Sequence, residues 1–231
     1  VTVWRRGFTL IELLVVIVVL GVLAGLIGGA AARARSQANS ARCVSNLHQW
    51  GMALMQYTAD HQGFTPRRGQ GVQALFQINR PDDWFNALPP YMGLPAFQDA
   101  VAANQQPKAG DNSVFVCPSA TDPGGAYFLP YGMNMYLSPW IRPQAHRMLD
   151  LPSPEQLAFL ADAPGQYSST IPSTLPFSVI ARHDGRANVC FVDGHVASFD
   201  GKYMGCGLGE PTLPDIRWQT LSTGVNQQPL P

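Results

Sequence analysis

From Phe8 to Ala32 the chain is almost continuously apolar: 19 of 25 positions are aliphatic or aromatic, and the run Leu13 to Leu20 is unbroken. A helix needs roughly 20 such residues to cross the hydrocarbon core of a bilayer. One that is apolar all round must be covered by lipid or by other protein. A cleaved secretory signal is the plainer alternative, with Arg5-Arg6 as its basic start and Ala30-Ala31-Ala32 as a small-residue cleavage site. Its apolar stretch of about 18 residues would exceed the usual ~7–15. Glu12 sits inside the run. A carboxylate at membrane depth costs several kcal/mol unless it is paired, so it marks a functional position.

Composition matters here chiefly through its asymmetry. The 231 residues carry 15 Lys+Arg and 15 Asp+Glu, but residues 1–68 hold seven basic and two acidic side chains against eight and thirteen beyond. The neutral total is thus +5 cancelling −5. No basic excess of the kind nucleic-acid binders show is present. Charged residues are only 13%, about half the usual ~25%, which argues against disorder. Arg33, Arg35 and Arg42 follow the span and outnumber Arg5 and Arg6 before it, so the positive-inside rule leaves the orientation open.

After Ala32 no proline occurs until Pro66. Ala-rich residues 30–41 favour helix. Val44, Leu47, Gly51, Leu54 and Thr58 then follow a helical spacing, widened by Trp50, Met55 and Tyr57. These features predict one helix from about Leu10 to about Ala59, apolar all round in its first half and amphipathic in its second. A kink near Gly28-Gly29 would instead separate an anchor from a second helix.

Residues 64–176 are rich in Pro and Gly and read as loops with short elements; aromatic residues such as Trp84, Phe85, Phe97 and Phe115 are expected in the core. Leu157 to Ala161 reads as a buried strand ending at Asp162. Further on, Asp184-Gly185, Asp193-Gly194 and Asp200-Gly201 punctuate apolar runs at intervals of nine and seven residues. Asp-Gly supplies the positive φ of tight hairpins, so an antiparallel meander is predicted with strands 177–183, 186–192, 195–199 and 202–204. The fold class is α+β, with the helix lying on one face of a small antiparallel sheet.

The segment Arg5-Arg6-Gly7-Phe8-Thr9-Leu10-Ile11-Glu12-Leu13-Leu14 resembles the N-terminal signal of type IV prepilins and type II secretion pseudopilins, with every motif position matched. The resemblance implies cleavage between Gly7 and Phe8 by prepilin peptidase and N-methylation of Phe8. It also implies that Glu12 neutralises the terminal amine of a neighbouring subunit. A second resemblance rests on His183, Asp193 and Gly194, which match a motif written H-x9-DG in a bacterial group of pilin-like proteins. Cys43-Val44-Ser45-Asn46-Leu47, Cys117-Pro118-Ser119 and Tyr131-Gly132-Met133-Asn134 are similar to other segments of that group. Together they imply a leader (1–7), a transmembrane assembly helix (8–32), its amphipathic continuation (33–62) and a loop-rich globular domain (63–231).

His183, Asp193 and His195 invite a metal site, because His and Asp are ordinary zinc ligands. In the predicted meander, however, the two histidines stand at opposite ends of a strand, roughly 20 Å apart at about 3.3 Å per residue. His183 and Asp193 are therefore expected to hydrogen-bond the backbone of their turns. A site joining either to Asp162 remains the alternative. Some pseudopilins hold Ca2+ in C-terminal loops, and Asp162, Asp193, Asp200 and Glu210 offer oxygen ligands, but no loop has dense acidic spacing. No cofactor is expected, with Ca2+ as the ion to consider.

The four cysteines form no C-x-x-C pair and allow three full pairings. The family resemblance favours Cys43 with Cys117, and Cys190 is expected to be a small buried hydrophobe. There is no Gly-x-Ser-x-Gly, and Gly205 to Gly209 lacks the Lys and helix of a phosphate loop. These readings imply a non-enzymatic pilin-like subunit in a type II secretion or type IV pilus-like system. Its partners would be prepilin peptidase, other pilin-like subunits and membrane lipid. Its place would be the inner membrane, N-terminus cytoplasmic and globular domain periplasmic or extracellular. The rival reading is a tethered periplasmic binding protein that uses the signal only for export and anchoring.

Overall fold

The computed structural model describes residues 9–67, 79–121, 128–137, 146–166, 173–174, 179–204 and 215–218. Two compact units emerge, residues 1–38 and 39–231. Helix α1 runs from Leu10 to Asp60, the one helix expected and not an anchor followed by a separate helix. In the first unit it is the one helix, among the described residues, long and apolar enough to cross a membrane. Its apolar side chains are not covered by the protein itself: Leu10 is 82% exposed and Val16 46%.

In the second unit the same helix is amphipathic. Cys43, Leu47, Trp50, Ala53, Leu54 and Tyr57 are buried, a spacing of three and four residues that draws one stripe along the helix. Met55, expected on this stripe, is 40% exposed because it falls on the neighbouring row of the helix. Two short helices, α2 (Trp84–Ala87) and α3 (Phe97–Ala102), supply aromatic rings to the same core. Trp50 meets Trp84 and Phe115 edge-on, with ring centroids 5.0 and 5.2 Å apart, the geometry aromatic quadrupoles prefer.

The sheet contains β1 (Phe128–Asn134), β2 (Ala158–Gln166), β3 (Ser173–Thr174), β4 (Arg186–Phe191) and β5 (Val196–Asp200). Its order is β3-β1-β2-β4-β5, antiparallel except for the two-residue β3, which runs parallel to β1. The fold is α+β. A core of Cys43, Leu47, Trp50, Leu54, Leu129, Phe159, Leu160 and Cys190, among others, lies under the helix. A second cluster of Ala158, Val189, Phe191, Ile216 and Trp218, among others, is buried separately.

Of the four meander strands expected, 186–192 and 195–199 form the β4–β5 hairpin, and the other two do not pair. Residues 177–178 lie outside the described part. From 179 to 183 the chain crosses the flank of β2, where the Ile180 N–H donates to the Asp162 carbonyl at 3.0 Å, and then makes a single bridge, His183 to Arg186. The neighbour of β4 on that side is β2 instead. Residues 202–204 form a turn because Asp200 Oδ1 accepts the Lys202 and Tyr203 N–H groups and holds the chain in a helical curl. The Asp184-Gly185 pair does make the tight turn expected of it, with φ of 51° and 81°.

Candidate functional site

The N-terminal feature begins at the first turn of α1. Thr9 precedes the helix, and both its N–H and its hydroxyl donate to Glu12 Oε2, at 2.9 and 2.7 Å. The Glu12 N–H returns a bond to Thr9 Oγ1 at 3.3 Å. This is a capping box, which satisfies orphan donors at a helix start. The box is legible in the sequence as Thr-x-x-Glu before an apolar run. Glu12 thus has partners within its own chain, set among the exposed apolar side chains Leu10, Ile11 and Leu13. Gly7 and Phe8 lie outside the described residues.

The motif segments of the globular unit, spread from Cys43 to Gly194, meet around the buried face of α1. Cys43 on the helix is joined to Cys117 by a disulfide, with Cα atoms 5.1 Å apart. One turn on, Asn46 Nδ2 donates to the Val116 carbonyl at 2.8 Å and reaches the Tyr131 hydroxyl at 3.5 Å. Burial pushes that Tyr131 hydroxyl well above the ordinary tyrosine range, so it stays a neutral hydrogen-bonding group. At the end of β1, Asn134 Nδ2 donates to the carbonyls of Ala158 and Trp218, each at 2.9 Å. A buried amide with this many partners fixes the register of the strands it bridges.

His183 turns its side chain inward. Its backbone closes the Asp184-Gly185 turn through reciprocal bonds with Arg186 at 3.0 Å. Its ring, however, lies with Nε2 3.2 Å from Asp162 Oδ2 and 3.6 Å from Cys117 Sγ, rather than on the turn backbone. Asp162 is fully buried; Oδ2 also accepts the Asn188 N–H at 2.8 Å, and Arg182 Nη1 stands 4.0 Å from Oδ1. Asp162 lies 21 residues and Cys117 66 residues before His183, and no periodicity links the three.

Asp193 behaves as a turn residue. Its Oδ1 accepts the His195 N–H at 3.1 Å and lies 2.6 Å from His195 Nδ1. The His195 ring stacks on Phe191 at 4.3 Å between centroids. The structure therefore brings His183 to Asp162 and leaves Asp193 with His195. Gly194 has φ of 88°, in the region that favours glycine, and it abuts Gly51 of the helix. A Cβ on Gly51 would lie 2.7 Å from the Gly194 carbonyl oxygen and 2.8 Å from its Cα. The helix and the β4–β5 turn touch backbone to backbone. Asp200 caps the turn that follows β5, and Cys206, Glu210 and the Gly205 to Gly209 stretch lie outside the described residues. Cys190 is buried and free, its thiol pushed up by burial and by Asp193.

Residues 5–28 match the family described as the prokaryotic N-terminal methylation motif. The chain is also 42% identical over 71 residues to type II secretion system core protein G of Klebsiella pneumoniae, covering 31% of this chain and 50% of that protein. The protein of the same description from Escherichia coli is 36% identical over 73 residues, 32% of this chain and 50% of the relative. That from Aeromonas hydrophila is 37% identical over 77 residues, 33% and 52% of the two chains. The chain thus spans about half the length of the curated relatives it matches. No solved structure matches it. These relatives are core proteins of a secretion system, and the chain is prepilin-like and pseudopilin-like in this sense.

Proposed function

We propose that this chain is a non-enzymatic, pseudopilin-type structural subunit, anchored by its N-terminal helix and assembled through it. The observation that carries this reading is the methylation motif at residues 5–28, continuous with an apolar helix whose side chains the chain leaves uncovered. On this reading residues 1–7 are a leader removed at Gly7, Phe8 is the methylated terminus, and 8–32 span the inner membrane with the N-terminus cytoplasmic. Residues 33–62 continue the helix, and 63–231 complete a periplasmic or extracellular domain. Prepilin peptidase, other pilin-like subunits and lipid are its partners, in a type II secretion or type IV pilus-like system. The H-x9-DG residues His183, Asp193 and Gly194 serve the architecture of that domain.

Glu12 has two competing partners in this scheme. Its capping bonds to Thr9 hold it within its own chain; a neighbour's N-terminal amine offers a full charge in a medium of low dielectric, where such pairing outweighs a neutral hydrogen bond. Assembly exchanges one for the other.

Mass spectrometry of the mature protein tests processing: N-methyl-Phe8 is expected, and a terminus after Ala32 or an uncut chain refutes the reading. Glu12→Val should be cleaved and anchored normally yet fail to cross-link into assemblies. Wild-type assembly by that variant removes the role given to Glu12, and a chain that is processed but stays monomeric in the wild type favours the tethered binding protein.

A further inference from the structure

Cys43, Cys117 and His183 are all buried, and one sulfur or nitrogen from each lies within 4.8 Å of the other two. In the oxidised chain the two sulfurs are bonded to each other. We propose that the reduced chain binds one Zn2+ at this point, through Cys43 Sγ, Cys117 Sγ, His183 Nε2 and Asp162 Oδ2, and that disulfide and zinc are alternative occupants of one site.

The distances support the donor set. In a tetrahedral zinc site with bonds of about 2.3 Å to sulfur and about 2.0 Å to nitrogen and oxygen, the S···N edge is about 3.6 Å and the N···O edge about 3.3 Å. Cys117 Sγ to His183 Nε2 is 3.6 Å and His183 Nε2 to Asp162 Oδ2 is 3.2 Å. Two edges of the tetrahedron therefore stand in place before any metal arrives. Two motions remain: the sulfurs must separate, on side chains whose Cα atoms are 5.1 Å apart, and Asp162 Oδ2, which stands outside the cluster of Cys43, Cys117 and His183, must close on them.

The electrostatics point the same way. Asp162 Oδ1 is buried without a hydrogen-bond partner among the described residues. A buried carboxylate oxygen left unmatched costs free energy, and a divalent cation on the same carboxylate offsets that cost. Two thiolates and a carboxylate around Zn2+ leave one net negative charge, which faces Arg182, 4.0 Å from Asp162. A soft sulfur pair with one imidazole selects zinc over calcium or magnesium.

The chemistry balances without a hidden reactant. A phosphine reductant gives two electrons to the S–S bond and becomes a phosphine oxide with an oxygen from water, whose two protons complete the two thiols. Zinc then displaces both thiol protons, and the His183 proton resides on Nδ1 while Nε2 binds the metal. A diazene oxidant takes two electrons from the two thiolates and two protons from solvent, becoming a hydrazine, while the disulfide is restored and Zn2+ released. In a chain that reaches an oxidising compartment reduced, the metal would hold Cys43 and Cys117 together until they are oxidised.

The test uses the full-length chain in detergent micelles, reduced by a phosphine under inert gas, freed of metal and titrated with Co2+ and then Zn2+. One Co2+ per chain is expected, with thiolate charge-transfer and tetrahedral absorption bands, displaced by one equivalent of Zn2+. The oxidised chain should bind none, and the diazene diamide should release zinc while peptide mapping shows the Cys43–Cys117 bond return. Cys117→Ser should abolish the charge-transfer signature, His183→Gln should weaken binding at least tenfold, and Cys206→Ser should leave it unchanged. If reduction unfolds the chain, zinc should restore the native near-UV circular dichroism. A reduced chain that binds no Co2+, that gives no thiolate band, that is not refolded by zinc, or whose binding ignores His183→Gln overturns the proposal.

Discussion

Replacing Gly51 with Ala sets two well-measured effects against each other at one atom. Within a helix, Ala is more favourable than Gly by about 1 kcal/mol, because Gly gives up more backbone entropy. Local reasoning alone thus forecasts stabilisation. The tertiary structure forecasts the opposite. The new Cβ would stand 2.7 Å from the Gly194 carbonyl oxygen, 2.8 Å from its Cα and 3.0 Å from Cys190 Sγ. Two of these neighbours are backbone and cannot rotate away, so the β4–β5 turn must lift off the helix. Overpacking of this kind costs typically ~1–3 kcal/mol, and a clash with backbone on both counts belongs at the upper end, about 3 kcal/mol. Subtracting the propensity gain leaves a net loss of about 2 kcal/mol. For a domain of this size each kcal/mol shifts Tm by roughly 2–4 °C, so a fall of about 4–8 °C is expected. Thermal unfolding of the full chain in detergent, followed by near-UV circular dichroism, measures it. Gly25→Ala is the control, since nothing lies within 4 Å of its added Cβ; it should leave the transition in place. A Tm for Gly51→Ala that is unchanged or higher refutes the claim that the glycine is required by contact with the turn.

Two further outcomes follow from buried polar groups. Asp83 is fully buried with both carboxylate oxygens lacking hydrogen bonds among the described residues. Its pKa is raised from 3.8 to about 7, by burial first and then by the charge of Asp82, against the opposing pull of Arg80 and Arg67. The folded state therefore keeps a proton that the unfolded chain loses: stability is greatest below about pH 4, falls as pH rises towards 7 and levels off above it, by up to about 4 kcal/mol in all. Urea unfolding of wild type and Asp83→Asn between pH 4.5 and 8 should show that slope only in the former, and equal slopes would contradict it. Asn134→Ala removes the amide that serves the carbonyls of Ala158 and Trp218, and should cost about 2–3 kcal/mol. A loss below about 0.5 kcal/mol in the same urea assay would show that those carbonyls find other donors.

Much of this chain's organisation is written in properties that neighbouring residues share. The apolar run, the Gly7-Phe8 signal, the stripe of Leu47, Trp50 and Leu54, and the Asp184-Gly185 turn each depend on residues a few positions apart, where helix and hairpin geometry dictate what meets what. The meander expectation failed where that logic was extended one strand too far in each direction. Asp-Gly at 193–194 and at 200–201 makes turns of different kinds, and which kind depends on what the following residues can reach. Asp193 draws back His195, while Asp200 curls the chain onto Lys202 and Tyr203.

The pairing of β2 with β4, the choice of His183 for Asp162 over the turn backbone (the alternative the sequence left open), the approach of Gly194 to Gly51 and the proximity of Cys117 to His183 are not decided by spacing. Each joins residues 21 to 143 positions apart in the chain. Nothing in either partner's local neighbourhood selects the other, because many closures of similar length have similar entropic cost. What selects them is the packing of the whole core against one helix face, where buried polar atoms must find partners and the turn can touch the helix backbone only because Gly51 lacks a Cβ. The anchor is therefore a property of the linear sequence, and the cluster beneath the helix is a property of the packed fold.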